Sequence, residues 1–397
     1  MKIGEIRDLI RLKPIELSAP ARRLSACHDI DDLRRVARRA VPRPVFDYVD
    51  GGADEEVSLA ANRRAFQRYR FLPNALVGVA DTSTVAGLLG AELPFPLVLG
   101  PTGYTRMMHP AGEIAVASAA HRHGLPYTLS TMATTTIETL AEAVPPQGLW
   151  FQLYVMRDTG LNKDLVARAA AAGYRTLMIT VDTVVPGHRS RDERNGLIIP
   201  PALTASALAN IAVRPGYWLR MLRNPAIEFA NIPLQAKTIA GSASLFDPAV
   251  TWDSIEPLRE AWPGKLLLKG PLSPSDCQQA IQAGADGIVL SNHGGRQLDR
   301  AVAPIDLVAG AREALGPDAT IVVDSGVRHG ADIAVALALG ANAAAIGRAY
   351  LYGLMAAGEP GVDHAIDLLS EQFTRTLQLL GMRSVAELRE RGAELIR

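Results

Sequence analysis

The sequence predicts an α/β fold, a (β/α)8 barrel, on the basis of three observations. Eight short apolar runs have the length and composition of buried parallel strands, and a helical pattern rich in Ala, Leu, Glu and Arg follows most of them. Eight such repeats over about 250 residues match the usual size of this barrel. The rival, an open doubly wound sheet, is disfavoured because no early Gly-x-Gly-x-x-Gly appears. The predicted strands are 97–100, 127–130, 149–155, 176–182, 265–269, 287–291, 320–324 and 343–347.

Helices are predicted in the connections between these strands. Gly173-Tyr174, Gly284-Ala285 and Gly340-Ala341 follow three of the helical patterns, as expected where a glycine ends a helix. Helix and strand therefore alternate along most of the chain, which is the pattern of a parallel sheet covered by helices. The most regular helical patterns cover 112–123, 137–143, 162–172, 275–283, 304–315 and 330–339.

Two regions depart from this alternation. Residues 1–26 are interpreted as an N-terminal tail, and the remainder, 27–397, as a single domain whose barrel runs from about 97 to 356. Before the first strand, a helical stretch at 30–49, a loop and a short possible hairpin predict a lid packed on the barrel. After the fourth strand, a gap at about 190–262 is longer than an ordinary connection, which predicts a functional or mobile insertion.

The composition excludes several classes of protein. Among the 397 residues, 41 basic and 41 acidic side chains balance, so no net positive charge favours nucleic acid. Cys27 and Cys277 are the only cysteines, and His109, His121 and His123 show no ligand pattern, so neither a disulfide framework nor a metal site is expected. No apolar run is long enough to span a bilayer, and the N-terminus lacks the apolar core of a secretion signal. A reducing, cytoplasmic setting is therefore expected.

Polar residues collect where the predicted strands end, which is where barrel enzymes place their active sites. The last two strands are followed by Gly326, Arg328, Gly347 and Arg348. Such loops often bind phosphate, since glycine lets the backbone approach a ligand and arginine supplies charge. A phosphorylated cofactor is therefore expected. The polar residues at the other strand ends are Thr102, Ser130, Gln152, Tyr154, Thr180, Asp182, Lys269, Ser291, His293, Asp324 and Ser325.

The run 291–297, Ser-Asn-His-Gly-Gly-Arg-Gln, follows the predicted sixth strand and carries the most specific chemistry. His293 can take a proton near neutral pH. Arg296 can hold a carboxylate. Gly294 and Gly295 allow the backbone to turn sharply close to a ligand. A histidine alone in such a place is more often structural than catalytic, so the interpretation depends on what accompanies it.

This run resembles the signature of the FMN-dependent L-2-hydroxy acid dehydrogenases and oxidases. The resemblance covers roughly residues 27–390 and recurs in order at several other places. Such an ordered set is much more specific than the signature alone. The other matching segments are Phe46-Asp47-Tyr48, Pro101-Thr102-Gly103, Gln152-Leu153-Tyr154, Thr180-Val181-Asp182, Lys269-Gly270, 324–328 and Gly347-Arg348.

The resemblance implies a role for each matched residue. His293 resembles the general base, and Asp182 resembles the carboxylate that orients it, stabilises its imidazolium and raises its pKa. Arg189 and Arg296 resemble the pair that holds the substrate carboxylate. Tyr48 and Tyr154 resemble the hydroxyl donors to the substrate carboxylate and the reacting oxygen. Residues that resemble contacts of non-covalently bound FMN are Pro101, Thr102, Gly103, Ser130, Gln152, Thr180, Lys269, Ser291, Asp324, Ser325, Gly326, Val327, Arg328, Gly347 and Arg348.

Three of these residues have more particular interpretations. Lys269 resembles the lysine beside the N1–O2 edge of the flavin, where a fixed cation favours the anionic reduced form. Taken alone, Arg189 would be interpreted as a surface ion-pair partner of Asp192 or Glu193. Arg348 has the alternative of lying outside the phosphate shell and covering apolar surface.

Two positions bear on the choice within the family. Gly103 occupies a site where oxygen-using members tend to carry alanine and quinone-using members glycine, so a dehydrogenase is expected. Met132 stands where glycolate oxidase has tryptophan, and a flexible thioether shapes a different pocket, which argues against a strict glycolate enzyme. Tyr104 is expected to line the pocket for the substrate side chain.

The segment 200–250 of the insertion combines Tyr217-Trp218 with Arg214, Arg220 and Arg223. Basic and aromatic residues together are typical of segments that lie at a membrane surface. The mandelate and respiratory lactate members carry a membrane-attaching segment here, so the resemblance implies peripheral contact with the inner face of the cell membrane. The alternative is a solvated lid with a few core aromatics.

The predicted function is FMN-dependent oxidation of an L-2-hydroxy acid, of the L-lactate or (S)-mandelate type, to the 2-oxo acid. Electrons would pass to a quinone or another carrier, and the resemblance suggests a homotetramer. Different stretches resemble the mandelate and the lactate branches, so the substrate stays open. Two alternatives remain: an oxidase that makes hydrogen peroxide, and a non-catalytic flavin-binding scaffold or sensor. The scaffold is disfavoured because it need keep only the phosphate-side residues.

Overall fold

The chain folds as a closed barrel of eight parallel strands, which confirms the predicted (β/α)8 fold. The computed structural model describes residues 18–195, 213–232, 245–271 and 273–397. Barrel strands pair with their neighbours in chain order, and the last pairs with the first. Each lies within its predicted range. After a hairpin of β1 (Ala86–Leu88) and β2 (Ala91–Leu93), they are β3 (Leu97–Leu99), β4 (Tyr127–Ser130), β5 (Leu149–Tyr154), β6 (Thr176–Thr180), β7 (Lys265–Lys269), β8 (Gly287–Leu290), β9 (Thr320–Val323) and β10 (Ala343–Ile346).

The inside of the barrel is a packed apolar core. Val98, Met178 and Val322 point into it from three different strands. Leu88 and Leu93 of the hairpin pack against the same cluster and cover the end at which the strands begin. The carboxyl ends of the strands are therefore the end at which a ligand can enter, as is usual for this fold.

Helices cover the outside of the barrel largely as predicted. The helix predicted at 162–172 begins earlier, because the Asp158 side chain accepts from the amide of Leu161 and caps it. The one predicted at 304–315 begins with a 3-10 turn, Pro304–Leu307. The helices from α5 onward are α5 (Gly112–Arg122), α6 (Ile137–Ala143), α7 (Thr159–Ala171), α8 (Ser190–Arg194), α9 (Pro215–Leu222), α10 (Glu256–Ala261), α11 (Pro274–Gln282), α12 (Val308–Leu315), α13 (Gly330–Ala338), α14 (Arg348–Ala357), α15 (Glu359–Leu380) and α16 (Val385–Leu395).

The lid is more helical than the sequence predicts. The stretch expected as one helix at 30–49 is two helices, because Val41 is extended ahead of Pro42, as the residue before a proline tends to be. Part of the loop expected after it is helical as well, and the predicted tail contains a short helix whose Arg23 donates to the carbonyl of Ala356. The lid helices are α1 (Ala19–Leu24), α2 (Ile30–Ala40), α3 (Arg43–Asp50) and α4 (Val57–Arg68).

Helix α4 is bonded directly to the loops at the open end of the barrel. The side-chain amides of Asn62 and Asn292 exchange two hydrogen bonds, at 2.8 and 2.7 Å. Arg63 donates to the carbonyl of Gly326 and to Asp332. The lid therefore positions both the run 291–297 and the loop after β9.

The insertion after β6 is described only in part, since 196–212 and 233–244 lie outside the described residues. Of the predicted membrane segment 200–250, helix α9 docks on the barrel through Tyr217, whose buried hydroxyl donates to the carbonyl of Met107 at 2.6 Å. Within the described ranges, no helix is both long and apolar enough to cross a bilayer.

Candidate active site

One cavity at the carboxyl ends of the strands gathers most of the predicted site residues. Their positions in sequence are up to about 300 residues apart, and the closed barrel brings them to one rim. This supports the prediction that these side chains form a single site. Those that line the cavity are Tyr48, Pro101, Thr102, Gly103, Tyr154, Thr180, Arg189, Lys269, His293, Arg296, Asp324, Ser325, Gly326, Val327, Arg328, Gly347 and Arg348.

The remaining predicted residues lie directly behind this lining and bond to it. Ser130 donates to the side-chain carbonyl of Gln152 at 3.0 Å, and the amide of Gln152 donates to Thr180 at 2.9 Å. These three come from β4, β5 and β6 and are buried. They form a row of polar groups across three neighbouring strands of the barrel, suited to the polar edge of a planar ring.

His293 is held between a carboxylate and a phenol. Its Nδ1 lies 3.2 Å from Oδ1 of Asp182, and its Nε2 lies 3.4 Å from the hydroxyl of Tyr154. An ionised carboxylate only accepts, so Nδ1 carries the hydrogen of the neutral ring and Nε2 keeps a lone pair on the cavity side. His293 has a φ of +57°, a backbone conformation uncommon outside glycine that aims the ring into the cavity.

The pKa of His293 is lowered from its ordinary value, contrary to the predicted direction. Burial disfavours the imidazolium, and the charge of Lys269 adds to this effect. Asp182 does act to raise the pKa, as expected, but burial outweighs it. The ring is therefore neutral at physiological pH, which is the form a base requires.

Asp182 stays ionised although it is buried. Burial alone would raise its pKa, but the interaction with His293, the charge of Lys269 and the hydrogen bond from the histidine lower it. Gly270 makes room for it, because a Cβ on Gly270 would lie 2.8 Å from the Asp182 Cβ, and its φ is +116°. Glycine therefore follows Lys269 in this motif because any side chain at 270 would clash with Asp182. Oδ2 of Asp182 has no hydrogen-bond partner within the described ranges.

Two arginines flank Tyr48 at the substrate end of the cavity. The guanidinium carbons of Arg296 and Arg189 lie 4.9 and 5.8 Å from the centre of the tyrosine ring. Arg189 lines the cavity and also donates to Asp192 at 2.7 Å. It therefore has a place in the site and also forms the ion pair that was the alternative interpretation. Arg296 faces the cavity, where its burial and the charge of Arg189 lower its pKa. Two guanidinium groups so close together favour an anionic ligand between them.

Lys269 provides a buried cation between the substrate end and the loop after β9. It donates to the hydroxyl of Ser291 at 2.9 Å and lies 3.6 Å from a carboxylate oxygen of Asp324. The hydroxyl of Ser325 in turn donates to Asp324 and accepts from the amide of Gly294. These contacts join the loop after β9 to the loop that carries His293.

The loop after β10 leaves its backbone open toward the cavity, whereas in the loop after β9 a Cβ on Gly326 would lie 2.6 Å from the carbonyl oxygen of Asn62 in the lid. A Cβ on Gly347 would meet only Thr102, at 3.6 Å, and Gly347 directly precedes helix α14, whose N-terminus is capped by no side chain of the described residues and favours an anion. Arg328 lines the same part of the cavity, with its guanidinium 5.2 Å from the ring of Tyr352. This arrangement fits a terminal phosphate.

Arg348 lines the cavity but its guanidinium bonds backbone carbonyls. It donates to the carbonyl oxygens of Val49, Gly294 and Gly51 at 2.7, 2.8 and 2.7 Å. Burial lowers its pKa to about 10. In this structure it connects the end of lid helix α3 to the loop of His293, and its predicted contact with the cofactor stays a prediction.

Sequence reasoning missed several residues that shape the cavity. Phe229 and Phe246 of the insertion line it, and no local signal distinguishes them from other aromatic residues. Tyr350 was also missed, and its hydroxyl bonds both Thr102 and the carbonyl of Gly100. Tyr104, expected in the lining, lies instead behind Phe229, with its hydroxyl donating to the carbonyl of Ile227.

The cavity has the features that a phosphorylated flavin requires. A row of buried polar side chains beside a buried lysine suits the heterocycle of a flavin, and the open glycine backbone at the start of α14 suits its phosphate. The class of protein defined by this fold and site is the barrel oxidoreductase that uses flavin mononucleotide.

Comparison with known proteins agrees with this class. The chain belongs to the FMN-dependent dehydrogenase family, whose model matches residues 37–394. It is 43% identical to a putative L-lactate dehydrogenase of Mycobacterium tuberculosis, over all of this chain and 96% of the relative. It is 40% identical to (S)-mandelate dehydrogenase of Pseudomonas putida, over 91% and 92% of the two chains. A crystal structure of the monotopic membrane protein (S)-mandelate dehydrogenase superposes with a TM-score of 0.89 at 38% identity, covering 94% of this chain and 99% of the other.

Proposed function

We propose that this FMN-dependent dehydrogenase oxidises an L-2-hydroxy acid to the 2-oxo acid, with His293 as the base. The observation that carries the proposal is the neutral His293 bonded to Asp182, with Tyr154 on its other nitrogen and a pair of arginines in the same cavity. This set supplies a proton acceptor beside a carboxylate site, as oxidation of a 2-hydroxy acid requires.

The substrate is held by its charged end. Arg189 and Arg296, whose guanidinium groups lie over the ring of Tyr48, bind the carboxylate, and the hydroxyl of Tyr48 donates to it. The hydroxyl of Tyr154 donates to the oxygen on C2, which brings that carbon close to His293. Burial raises the pKa of Tyr154, so the phenol keeps its hydrogen and serves as a donor.

The oxidation removes two electrons and two protons from the acid. Bound FMN supplies the acceptor for the electron pair and one proton. Nε2 of His293 takes the other proton, and Asp182 stabilises the imidazolium that forms, as the carboxylate does in other base–carboxylate pairs. Lys269 would place a positive charge beside a flavin held in this cavity and would so favour its reduced form.

We further propose a quinone or another carrier as electron acceptor and peripheral contact with the membrane. Helix α9 supports the second point, since Tyr217 anchors it to the barrel while Leu219 and Leu222 on its outer side are 55% and 80% exposed. Apolar residues beside Arg220 suit an interface of lipid and water. The similarity to a protein described as monotopic points the same way. The homotetramer stays a prediction that sedimentation velocity checks.

Anaerobic absorbance spectroscopy tests the proposal directly. The flavin of the purified protein should bleach on addition of an L-2-hydroxy acid, recover quickly with a quinone and slowly in air. His293→Gln should retain flavin but lose this bleaching, whereas His121→Gln, at an exposed histidine, should behave as wild type. Normal bleaching by His293→Gln would exclude the assigned role. Fast recovery in air with release of hydrogen peroxide would indicate the oxidase instead.

A further inference from the structure

The insertion after β6 contributes two phenyl rings to the cavity that holds His293. Phe229 lies in the stretch 225–232, and Phe246 lies beyond the undescribed residues 233–244. Both line the cavity together with Met108 and Met132 from the loops after β3 and β4. The lining of the site therefore includes apolar and aromatic side chains as well as the arginines.

The stretch 225–232 is firmly attached to the loop that follows β4. The amide of Ala230 donates to the carbonyl of Ala133 at 2.9 Å. The side chain of Asn231 accepts from the amide of Ile137 at 3.0 Å and donates to the carbonyl of Thr135 at 3.1 Å. Asn231 is buried, so these bonds are shielded from water. They place Phe229 in one position beside Met132.

A buried carboxylate holds the same loop from the barrel side. Glu113 of α5 accepts from the amide of Thr134 at 2.7 Å, and from the hydroxyls of Thr134 and Thr135. Because bonds to a charged acceptor are stronger than neutral ones, the loop has little freedom to shift. The backbone to which the insertion is attached is thus itself rigid.

Each phenyl ring contacts a tyrosine. Phe229 is buried with its ring 4.9 Å from that of Tyr104, and Phe246 lies edge-on to Tyr154 at 5.3 Å. Arg157 fixes Phe246, since its amide donates to the carbonyl of Leu245 and its guanidinium to that of Phe246. Tyr154 contacts His293. The aromatic lining formed by the two phenyl rings therefore begins next to the histidine proposed as the base.

We propose that Phe229 and Phe246, together with Met132, form the subsite for the substrate side chain, and that it selects 2-hydroxy acids with an aryl group. This inference rests on the proposed function, because it assigns the side-chain end of that same substrate. A phenyl substituent can pack against the edges and faces of these aromatic rings, whereas a methyl group is too small to fill the same contacts. The specificity determinants then lie in the insertion and in the loop after β4, both of which are attached through Glu113 and Asn231.

The test compares kcat/KM for (S)-mandelate and L-lactate in the FMN-loaded, full-length protein. Wild type should favour (S)-mandelate by about tenfold or more, the range that apolar pockets reach. Phe229→Ala should lower kcat/KM for (S)-mandelate about tenfold and change that for L-lactate much less. Phe229→Leu, which keeps the bulk, covers the case in which the alanine variant does not fold. The matched control is Val213→Ala, in the same insertion but with its side chain exposed.

Each outcome decides a different point. A preference of wild type for L-lactate, or an equal loss for both acids in Phe229→Ala and Phe229→Leu, would overturn the aromatic subsite and leave the dehydrogenase intact. An equal loss would mean that the rings only exclude water. If neither acid bleaches the flavin, and no other 2-hydroxy acid does, the proposed function fails and the subsite with it.

Discussion

Replacing Asp182 by Asn tests whether His293 depends on a charged partner. The two side chains meet at 3.2 Å, and a hydrogen bond to a charged group contributes about 1.5–3 kcal/mol. Coulomb attraction at that separation, with an effective dielectric constant of about 20, sets a ceiling of about 5 kcal/mol. Because the imidazolium forms only as the substrate loses its proton, the loss falls on the rate. At about 1.36 kcal/mol per factor of ten, kcat/KM should drop roughly 10- to 160-fold.

The same substitution should also move the pH profile. Asp182 acts to raise the pKa of His293 against the effect of burial, so its removal lowers that pKa further. The base must be neutral, and activity is lost as the pH falls through this pKa, so the acid limb should move to lower pH. Stopped-flow flavin reduction from about pH 5 to 8 measures both effects, with flavin content as the control for folding. A near-normal rate, or an acid limb that stays in place, would refute the reasoning.

Three further substitutions should change the catalytic rate, the flavin potential and the stability of the protein, respectively. Gly270→Ala should lower kcat/KM about tenfold or more, since its Cβ would displace Asp182, whereas Gly310→Ala, whose nearest neighbour is 3.9 Å away, should behave as wild type. Lys269→Met should lower the flavin midpoint potential by about 30 mV or more, about 1.4 kcal/mol for two electrons. An unchanged potential in a dye-equilibration titration would contradict the assignment of Lys269 beside the flavin. Burial acts to raise the pKa of Asp50, but its arginine and tyrosine partners lower it to about 2. Its contribution of about 2 kcal/mol is therefore present above about pH 4 and lost as the pH falls toward 2, so Asp50→Asn should weaken the protein in urea at neutral pH but not in acid.

Most of the barrel could be predicted because its signals are local. Each strand is a short apolar run and each helix has its own periodicity, so neither needs information from distant residues. The lid is harder to predict from the sequence. Pro42 divides a helical pattern that otherwise continues from 30 to 49, and helix α4 lies where a loop was expected. The predicted site residues that meet in one cavity could be identified because they follow the predicted strands, and the carboxyl ends of parallel strands lie at the same rim of the barrel.

The sequence by itself determined the fold, the family signature and the residues placed at the ends of the strands. Only the tertiary structure decided that burial, rather than Asp182, sets the direction of the His293 pKa, because the dielectric surroundings of a ring depend on everything packed around it. It alone decided that Arg348 bonds the carbonyls of the lid and the catalytic loop. It also placed Phe229 and Phe246 in the cavity. Their positions depend on hydrogen bonds between segments about a hundred residues apart, and no periodic pattern records such contacts.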